Sequence, residues 1–421
     1  MKRFVLLLVI VVDSSAREPI KSPPPKIQPP AVSIDQPVRA RDLGIPFDGV
    51  PGPLNAITDI TGVEVGYTTL VSGEGKTEVG KGPVRTGVTV ILPRGHASMN
   101  DPVYAGTFSL NGNGEMTGTA WVEESGFLEG PVVMTNTHSV GVARDAVIAW
   151  RIHHGAADNT GYWWSLPVVA ETWDGYLNDI NGFHVKSEDV FHALDMAHSG
   201  PIEEGSVGGG TGMICYEFKG GVGTASRKIT IKSDKKSAGE TYTAGVLVQA
   251  NCGRRPNLTI AGVPVGKEIP ENAVFSQENG SIIIVVATDA PLLPHQLKRL
   301  ARRASLGLAR TGSYSGNGSG DLFIAFSTAN PKVADPDRVT HAVETIPNDL
   351  LDPMFEGVVQ ATEEAIVNAL VDQKEDLAGA IAWYADEKTG NRFFVGANEH
   401  RVEALSHARM QELMRGRAGA R

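Results

Sequence analysis

The residues Asn279-Gly280-Ser281 precede an apolar run, positions 282–287, that is mostly β-branched. Such a run, entered from a flexible glycine, predicts a fully buried strand. Its first position nevertheless carries a hydroxyl group. One interpretation is an ordinary turn that ends at Ser281. The other is that the Gly280–Ser281 bond is cut, so that Ser281 becomes a new N-terminus. Its hydroxyl would then be the nucleophile, and its α-amine, with a reference pKa of about 8, would be the nearby base.

A second hydroxyl and a carboxylate occur two positions apart, at Ser319 and Asp321. Side chains with this spacing point the same way on a strand, so the two groups could form a short proton relay that faces one site. The alternative is a glycine-rich turn in which Asp321 caps its own backbone.

Other catalytic motifs fail on their spacing. The segment 73–77 resembles the end of a phosphate-binding loop, but Leu70 occupies the position of the required first glycine. The histidines form no HExxH pattern, and no GxSxG nucleophile elbow is present. We therefore predict no metal ion and no cofactor.

The elements that must position these groups mix strands and helices without strict alternation. This mixture favours a layered α+β architecture in one domain over a doubly wound sheet. Apolar periodicity predicts helices at 140–153, 190–198, 295–309, 354–371 and 402–415. Apolar runs and alternations predict strands at 63–67, 88–92, 132–135, 213–218, 228–232, 242–250, 281–287, 321–327, 380–384 and 388–395.

The N-terminus has the plan of a signal peptide at 1–16, with Lys2-Arg3, an apolar run and the small residues of a cleavage site. A retained membrane anchor is the competing interpretation. A Pro-rich linker at 17–38 follows, and the catalytic domain spans 39–421. We expect a periplasmic or secreted protein with no membrane contact after leader removal.

Composition narrows the range of partners. The formal net charge is −10, which argues against a nucleic-acid partner, because phosphate binding needs a basic surface. The chain has two cysteines, Cys215 and Cys252, beside or within apolar runs. Buried free thiols are the expected state, although the sequence leaves their pairing open.

Several blocks, taken together, resemble the self-processing aminopeptidases that include L-aminopeptidase/D-esterases and β-peptidyl aminopeptidases. They span most of the chain between Arg39 and Asn330, and their joint occurrence is highly specific. The blocks lie at 39–46, 51–59, 110–116, 170–179, 246–251, 280–281 with its strand, and 312–321.

The resemblance implies a four-layer αββα sandwich, similar in layering to the N-terminal-nucleophile hydrolases but with different strand connectivity. It also implies self-cleavage between Gly280 and Ser281, giving an α chain that ends at 280 and a β chain of 281–421. Members of this family commonly form tetramers of such αβ units, so we expect a homotetramer of αβ heterodimers.

Site roles are also implied by the resemblance. Asn251 would donate to the oxyanion, and Tyr176 would be the phenolic donor, with Trp173 as its possible replacement. Glu171 is the first choice, and Asp174 the second, for binding the positively charged N-terminus of a substrate. Relatives often carry Glu at the position of Asp321, which is one methylene shorter.

The predicted function is an exported aminopeptidase that forms an acyl-enzyme on Ser281. It would release N-terminal residues, including β-amino acids, L-α-amino acids and D-alanyl groups, from short peptides, amides and esters. Two alternatives stay open at this point. One is an acyltransferase of the ornithine acetyltransferase type, although those enzymes use a threonine nucleophile. The other is an uncleaved periplasmic binding or scaffold protein.

Overall fold

The computed structural model describes residues 38–157, 159–233, 238–277, 280–373 and 382–419. The predicted signal peptide, the predicted linker up to residue 37, and Asn279 lie outside these ranges. Within them, no helix is both long and apolar enough to cross a membrane. The described residues belong to one compact unit.

Seven α-helices and fifteen strands make up the regular structure of the described residues. The helices are α1 Thr119–Ser125, α2 Val140–His153, α3 Ser187–Asp195, α4 Val265–Glu268, α5 Pro294–Arg310, α6 Asp352–Val371 and α7 His407–Gly419. The strands are β1 Glu64–Ser72, β2 Val84–Leu92, β3 Val103–Gly112, β4 Phe127–Leu128, β5 Val132–Asn136, β6 Val168–Thr172, β7 Ile214–Cys215, β8 Phe218–Lys219, β9 Gly221–Ile231, β10 Glu240–Asn251, β11 Ser281–Thr288, β12 Gly320–Ser327, β13 Trp383–Ala385, β14 Arg392–Val395 and β15 Arg401–Glu403.

Two sheets form the centre of the fold. One has four strands in the order β1-β2-β5-β6, and the other has six in the order β4-β3-β12-β11-β10-β9. Three apolar layers follow from this stacking. Helices α2 and α3 cover the four-stranded sheet, the two sheets face each other, and helices α5 and α6 cover the six-stranded sheet. The predicted α+β, four-layer αββα sandwich is therefore confirmed.

Strand β11 lies in the interior of the six-stranded sheet and shows why a continuous apolar run is needed there. All of its residues are buried. Alternate side chains enter the two adjoining layers, with Ile282 on the helix side and Ile283 between the sheets. A strand covered on both faces has no polar side, so its sequence does not alternate.

The structure adds elements that the apolar pattern did not predict. Strand β3 and strand β6 were missed, and the segment 213–218 forms most of a hairpin, β7 and β8, rather than one strand. Residues 380 and 381 of a predicted strand lie outside the described residues. The predicted C-terminal helix begins later than expected, after strand β15.

The N-terminal block 39–46 is anchored by a buried acid on helix α6. Glu364 has no exposed side-chain surface and accepts hydrogen bonds from Arg41, Asn55 and Arg227 at 2.6–2.8 Å. Although burial alone would raise it, the pKa of Glu364 stays below its usual value because of the Arg41 and Arg227 guanidinium groups and the hydrogen bond from the Asn55 amide. The block 39–46 of the family resemblance therefore contributes to the stability of the fold through Arg41.

Candidate active site

Ser281 is the first residue of β11 and is 5% exposed. Its neighbours come from the strands on either side, since Asn251 pairs with it on antiparallel β10 and Gly320 on parallel β12. The Gly320 N–H donates a 3.1 Å hydrogen bond to Ser281 Oγ. Tertiary pairing thus brings together three positions that are far apart in the sequence.

The residue before Ser281 has to be small. A Cβ on Gly280 would lie 1.9 Å from the backbone oxygen of Asn251, which is closer than atoms can approach. Because the obstacle is backbone, a larger side chain could fit only if strand β10 shifted. Glycine at this position therefore permits the close approach of the predicted scissile bond to the end of β10.

The side-chain amide of Asn251 is held in one orientation. Its Oδ1 accepts from the Ile214 N–H at 2.7 Å, and its Nδ2 donates to the Trp173 carbonyl oxygen at 2.9 Å. An amide nitrogen carries two hydrogens. The Trp173 carbonyl accepts one of them. The second is the hydrogen that the predicted oxyanion role of Asn251 would use.

Ser319 and Asp321 form the pair that their spacing suggested. Both are fully buried, and Ser319 Oγ donates to Asp321 Oδ1 at 2.6 Å. The parallel register places the side chain of Ser281 on the same face as Gly320, so Asp321 points to the opposite face, that of Ile282. The pair therefore adjoins the backbone of Ser281, and its relation to Oγ is indirect.

Glu171, at the end of β6, is 3% exposed. It accepts from the Glu115 N–H at 3.0 Å and from the Thr137 hydroxyl. A methyl group on Gly114 would lie 3.2 Å from both Glu171 Oε1 and the Cα of Gly320. The carboxylate therefore lies close to the nucleophile's neighbour, and burial raises its pKa above the ordinary value.

Asp174 occupies a different environment, although it is only three residues further on. It is 1% exposed, packs against Gly212, and accepts from Asn178 Nδ2 at 3.1 Å. Burial raises its pKa to about 7, an effect that hydrogen bonds from Thr86, Asn178 and Asn136 only partly offset. Of the two candidate amine-binding acids, the structure brings Glu171 toward Ser281.

The Asp174→Asn variant should change how stability depends on pH. The folded state holds the Asp174 proton more tightly than the unfolded chain does, so the wild type loses stability as pH rises from about 4 to about 7. A pKa near 7 rather than 3.8 corresponds to ~4 kcal/mol for a fully buried group. In thermal unfolding, the stability of Asp174→Asn relative to that of the wild type should be higher at pH 8 than at pH 5. The exposed Asp145→Asn on α2 is the control, and equal gains in both variants would contradict the prediction.

Tyr176 is half-buried, and its ring is held from two sides. It stacks on His400 at 4.1 Å between centroids and meets Phe275 edge-on at 5.0 Å. His400 Nδ1 also donates to the Tyr176 carbonyl oxygen at 2.8 Å. His400 comes from the C-terminal segment before β15, where no motif indicated a role.

A small pocket adjoins this ring system and the predicted scissile bond. Trp173, which is 37% exposed, lines this pocket. Tyr176 contacts the ring of Phe275, which also lines it. Both candidates for the second oxyanion donor are therefore close to the pocket. The lining residues are Trp173, Ile214, Glu217, Asn251, Cys252, Gly253, Phe275 and Gly280.

The two cysteines, Cys215 and Cys252, are near each other, and Cys252 is itself one of the lining residues. Both are buried, and their sulfur atoms, 3.9 Å apart, are not joined in a disulfide. In the described part of the chain, no group of three or more His, Cys, Asp or Glu residues is arranged to hold a metal ion.

A four-layer αββα fold in which a serine opens a central strand defines the class of N-terminal-nucleophile hydrolases. Comparison with known proteins agrees, since Peptidase family S58 matches residues 55–380. This chain belongs to that family. Beta-peptidyl aminopeptidase BapA of Sphingosinicella microcystinivorans is 52% identical over 403 residues, which cover 91% of this chain and 93% of that protein. BapA of Sphingosinicella xenopeptidilytica is 46% identical over 395 residues, 90% of this chain and 91% of that protein.

A solved structure extends the similarity to three dimensions. The L-aminopeptidase D-Ala-esterase/amidase of Ochrobactrum anthropi, described as a prototype for the serine aminopeptidases and a new variant of the Ntn hydrolase fold, superposes with a TM-score of 0.80. It is 46% identical, and the match covers 90% of this chain and 99% of that one. The chain is thus a serine aminopeptidase with an N-terminal nucleophile. These relatives lend no support to the acyltransferase alternative.

Proposed function

We propose that this aminopeptidase cleaves itself at Gly280–Ser281 and then uses Ser281 to release N-terminal residues, β-amino acids among them, from short peptides and amides. The observation that carries the proposal is the position of Ser281. It is the first residue of a buried central strand, and it lies beside the Asn251 amide, whose second hydrogen can be donated to an oxyanion. On its other side lies Gly320, which adjoins the Ser319–Asp321 pair.

Self-cleavage follows from this geometry in two steps. Ser281 Oγ attacks the carbonyl carbon of Gly280 and gives up its proton. The C–N bond then breaks as that proton is transferred to the departing nitrogen, which leaves an ester and a free α-amine. Water then hydrolyses the ester, giving the carboxylate of Gly280 and restoring the Ser281 hydroxyl. The Asn251 amide stabilises the oxyanion that forms in each step.

Peptide hydrolysis repeats the chemistry on an external carbonyl. The freed α-amine takes the proton of Oγ as Oγ attacks the substrate, because a neutral hydroxyl is a weak nucleophile. The Ser319–Asp321 pair adjoins the backbone of Ser281, where its negative charge supports the ammonium group. The amine then protonates the leaving group, and water releases the acyl residue.

Glu171 accounts for the need for a free substrate amine. Its carboxylate is buried near Gly320, and a cationic N-terminus would be the natural partner for a negative charge in that environment. A blocked N-terminus carries no such charge. Exopeptidase specificity then follows from one charge pair at a fixed distance from the nucleophile.

Glu171→Gln should lower kcat/KM for free-amine substrates by ~10²-fold, because loss of one partner of a buried charge pair costs ~2–5 kcal/mol. The loss should be much smaller for the N-acetylated analogue, so the preference for a free amine should shrink. Steady-state kinetics on both p-nitroanilides measure this. The control Glu123→Gln removes the carboxylate that pairs with Lys298 on the surface. An unchanged preference in Glu171→Gln would show that another group binds the amine.

A panel of β-alanyl, L-alanyl and D-alanyl p-nitroanilides, each with an N-acetyl control, tests the substrate class. The two related BapA proteins are named as β-peptidyl aminopeptidases, and we expect the β-alanyl compound to be turned over. Hydrolysis restricted to the α-amino compounds would overturn that part of the proposal. Failure to hydrolyse any of the free-amine compounds would favour the binding or scaffold alternative.

We also propose export and assembly into a homotetramer of αβ units. Export is supported by the composition of residues 1–16, and assembly by the family resemblance. N-terminal sequencing of the mature α chain and light scattering of the purified enzyme test them. An α chain that retains residues 1–16, or a particle of one αβ unit, would contradict the respective proposal.

A further inference from the structure

An ion pair between a buried carboxylate, Glu217, and a partly exposed guanidinium, Arg254, holds the chain that leads into the predicted scissile bond. The Glu217 carboxylate accepts from the Phe275 N–H at 3.0 Å and from Arg254 Nε at 2.9 Å. Arg254 in turn donates from Nη1 to the Ser276 carbonyl oxygen at 2.5 Å. Two consecutive residues of the leading segment are therefore bound, one through its N–H and the next through its C=O. We call Glu217 and Arg254 the clamp.

The clamp is built on a strained turn. Tyr216 and Glu217 form the two-residue loop of the β7–β8 hairpin, and both have positive φ, 51° and 61°. Such loops favour glycine or asparagine, because other side chains are strained in this region. The strain is held in place by further bonds, including one from the Arg255 N–H to Glu217 at 3.0 Å and one from the Tyr216 N–H to the Cys252 carbonyl oxygen at 2.6 Å. A strained, heavily bonded carboxylate next to a reactive bond indicates a positioning role.

The clamp lies next to the predicted cleavage site. Glu217, Phe275, Asn251 and Gly280 line the same pocket. The chain covers only four residue steps from Ser276 to Gly280, a span of at most ~14 Å. Fixing Phe275 and Ser276 therefore limits where the carbonyl of Gly280 can lie relative to Oγ of Ser281.

The clamp also binds residues only on the N-terminal side of the predicted Gly280–Ser281 scissile bond. Phe275 and Ser276 precede the scissile bond and belong to the α chain after cleavage. An external peptide has no covalent link to them. An interaction with this segment can therefore affect the first, internal acyl transfer without entering the chemistry of later turnovers.

Resting on the proposed self-cleavage, we propose that Glu217 and Arg254 are positioning residues for processing, which hold the Gly280 carbonyl in line with the Ser281 hydroxyl. They are dispensable for the chemistry of peptide hydrolysis by the mature enzyme. Correct placement of reacting groups accounts for large rate factors, and small misplacements reduce them strongly. The negative charge of Glu217 suits this task, since hydrogen bonds from Phe275, Arg255 and Arg254 keep its pKa low despite burial.

The test compares processing with turnover in Glu217→Gln, Arg254→Ala and Arg254→Lys. The full chain is made by cell-free translation with a labelled amino acid, and the conversion of precursor to two chains is followed on denaturing gels during a chase. We expect processing to slow by ~10–100-fold in Glu217→Gln and Arg254→Ala, with Arg254→Lys between them and the wild type. The kcat of the processed fraction should stay within about threefold of wild type. Arg310→Ala, which removes a surface pair with Glu363, is the control.

Two results would overturn the inference. One is processing at the wild-type rate in both Glu217→Gln and Arg254→Ala. The other is a fall of kcat by the same factor as the processing rate, which indicates a general structural role. Should Glu217→Gln fail to fold, the Arg254 variants decide alone, because that side chain is 21% exposed and its loss disturbs the core less. A wild type that never splits at Ser281 would instead refute the self-cleavage on which the inference rests.

Discussion

Replacing Ser281 by alanine is expected to leave one uncut chain and to reduce aminopeptidase activity by at least ~10⁴-fold. In the proposed mechanism the hydroxyl is the attacking group in both self-cleavage and substrate hydrolysis, so its removal should stop both reactions. The uncut precursor also lacks the α-amine that the mature enzyme needs as its base. One substitution should therefore abolish both processing and hydrolysis, and a higher substrate concentration should restore neither. Intact mass spectrometry and steady-state kinetics on β-alanyl p-nitroanilide measure them.

Two further variants make the Ser281 result specific. Ser281→Cys keeps a nucleophile, so it should process slowly and retain some activity. Ser327→Ala removes an equally buried hydroxyl at the other end of β12, where Ser327 Oγ donates to the Ala290 carbonyl oxygen, and it should process normally. Two chains in Ser281→Ala, with a β chain beginning at residue 281, would show that another group cuts the bond.

Asn251→Ala should lower kcat by ~10²–10³-fold with little change in KM, the usual effect of removing one oxyanion donor. The structure supports this size of effect because the amide is fixed from both ends, by the Ile214 N–H and the Trp173 carbonyl. A hydrogen-bond donor that is already oriented needs no reorganisation during the reaction, so it stabilises the transition state most strongly. Self-cleavage passes through the same kind of oxyanion, so the processing rate should fall by a similar factor.

The control for Asn251→Ala is Asn368→Ala on helix α6. Its buried amide donates to the Thr224 carbonyl oxygen and accepts from the Ala40 N–H, far in sequence and in fold from Ser281. Its loss should reduce stability while leaving kcat per folded enzyme near the wild-type value. An Asn251→Ala enzyme with an unchanged kcat would assign the oxyanion to Tyr176 or Trp173 instead.

The ratio of the two rates separates the clamp from the oxyanion donor. Under these proposals Asn251 acts on processing and turnover alike, whereas the clamp acts on processing alone. A plot of processing rate against kcat for all variants should therefore place Asn251→Ala along the diagonal and the Glu217 and Arg254 variants off it.

The primary sequence was sufficient for the fold class, the nucleophile's strand and the family. The continuous apolar run predicts a doubly covered strand by itself, and the mixture of strands and helices predicts the α+β class. The four-layer arrangement and the choice of Ser281 over an ordinary turn rest on the family resemblance, because the local pattern left the turn open. The spacing also suggested the pairing of Ser319 with Asp321, because side chains two apart on a strand share a face, but it left open a turn in which Asp321 caps its own backbone. The hydrogen bond between the two side chains in the structure decides for the pair. Gly280 could be noted from sequence, but its physical reason, the backbone oxygen of Asn251, could not.

Other features depend on contacts between distant segments, which no local pattern encodes. The register of β11 on β12 determines that Asp321 faces away from the side chain of Ser281, a point that spacing within one strand leaves open. The family resemblance placed Glu171 ahead of Asp174, but the physical difference between them comes from packing against Gly114 and Gly212, which gives the two carboxyl groups different environments. The roles we assign to Glu217 and Arg254 rest on a hairpin that brings residue 217 against residue 275. Such pairings arise because burial of the apolar layers, rather than any nearby residue, determines which segments meet.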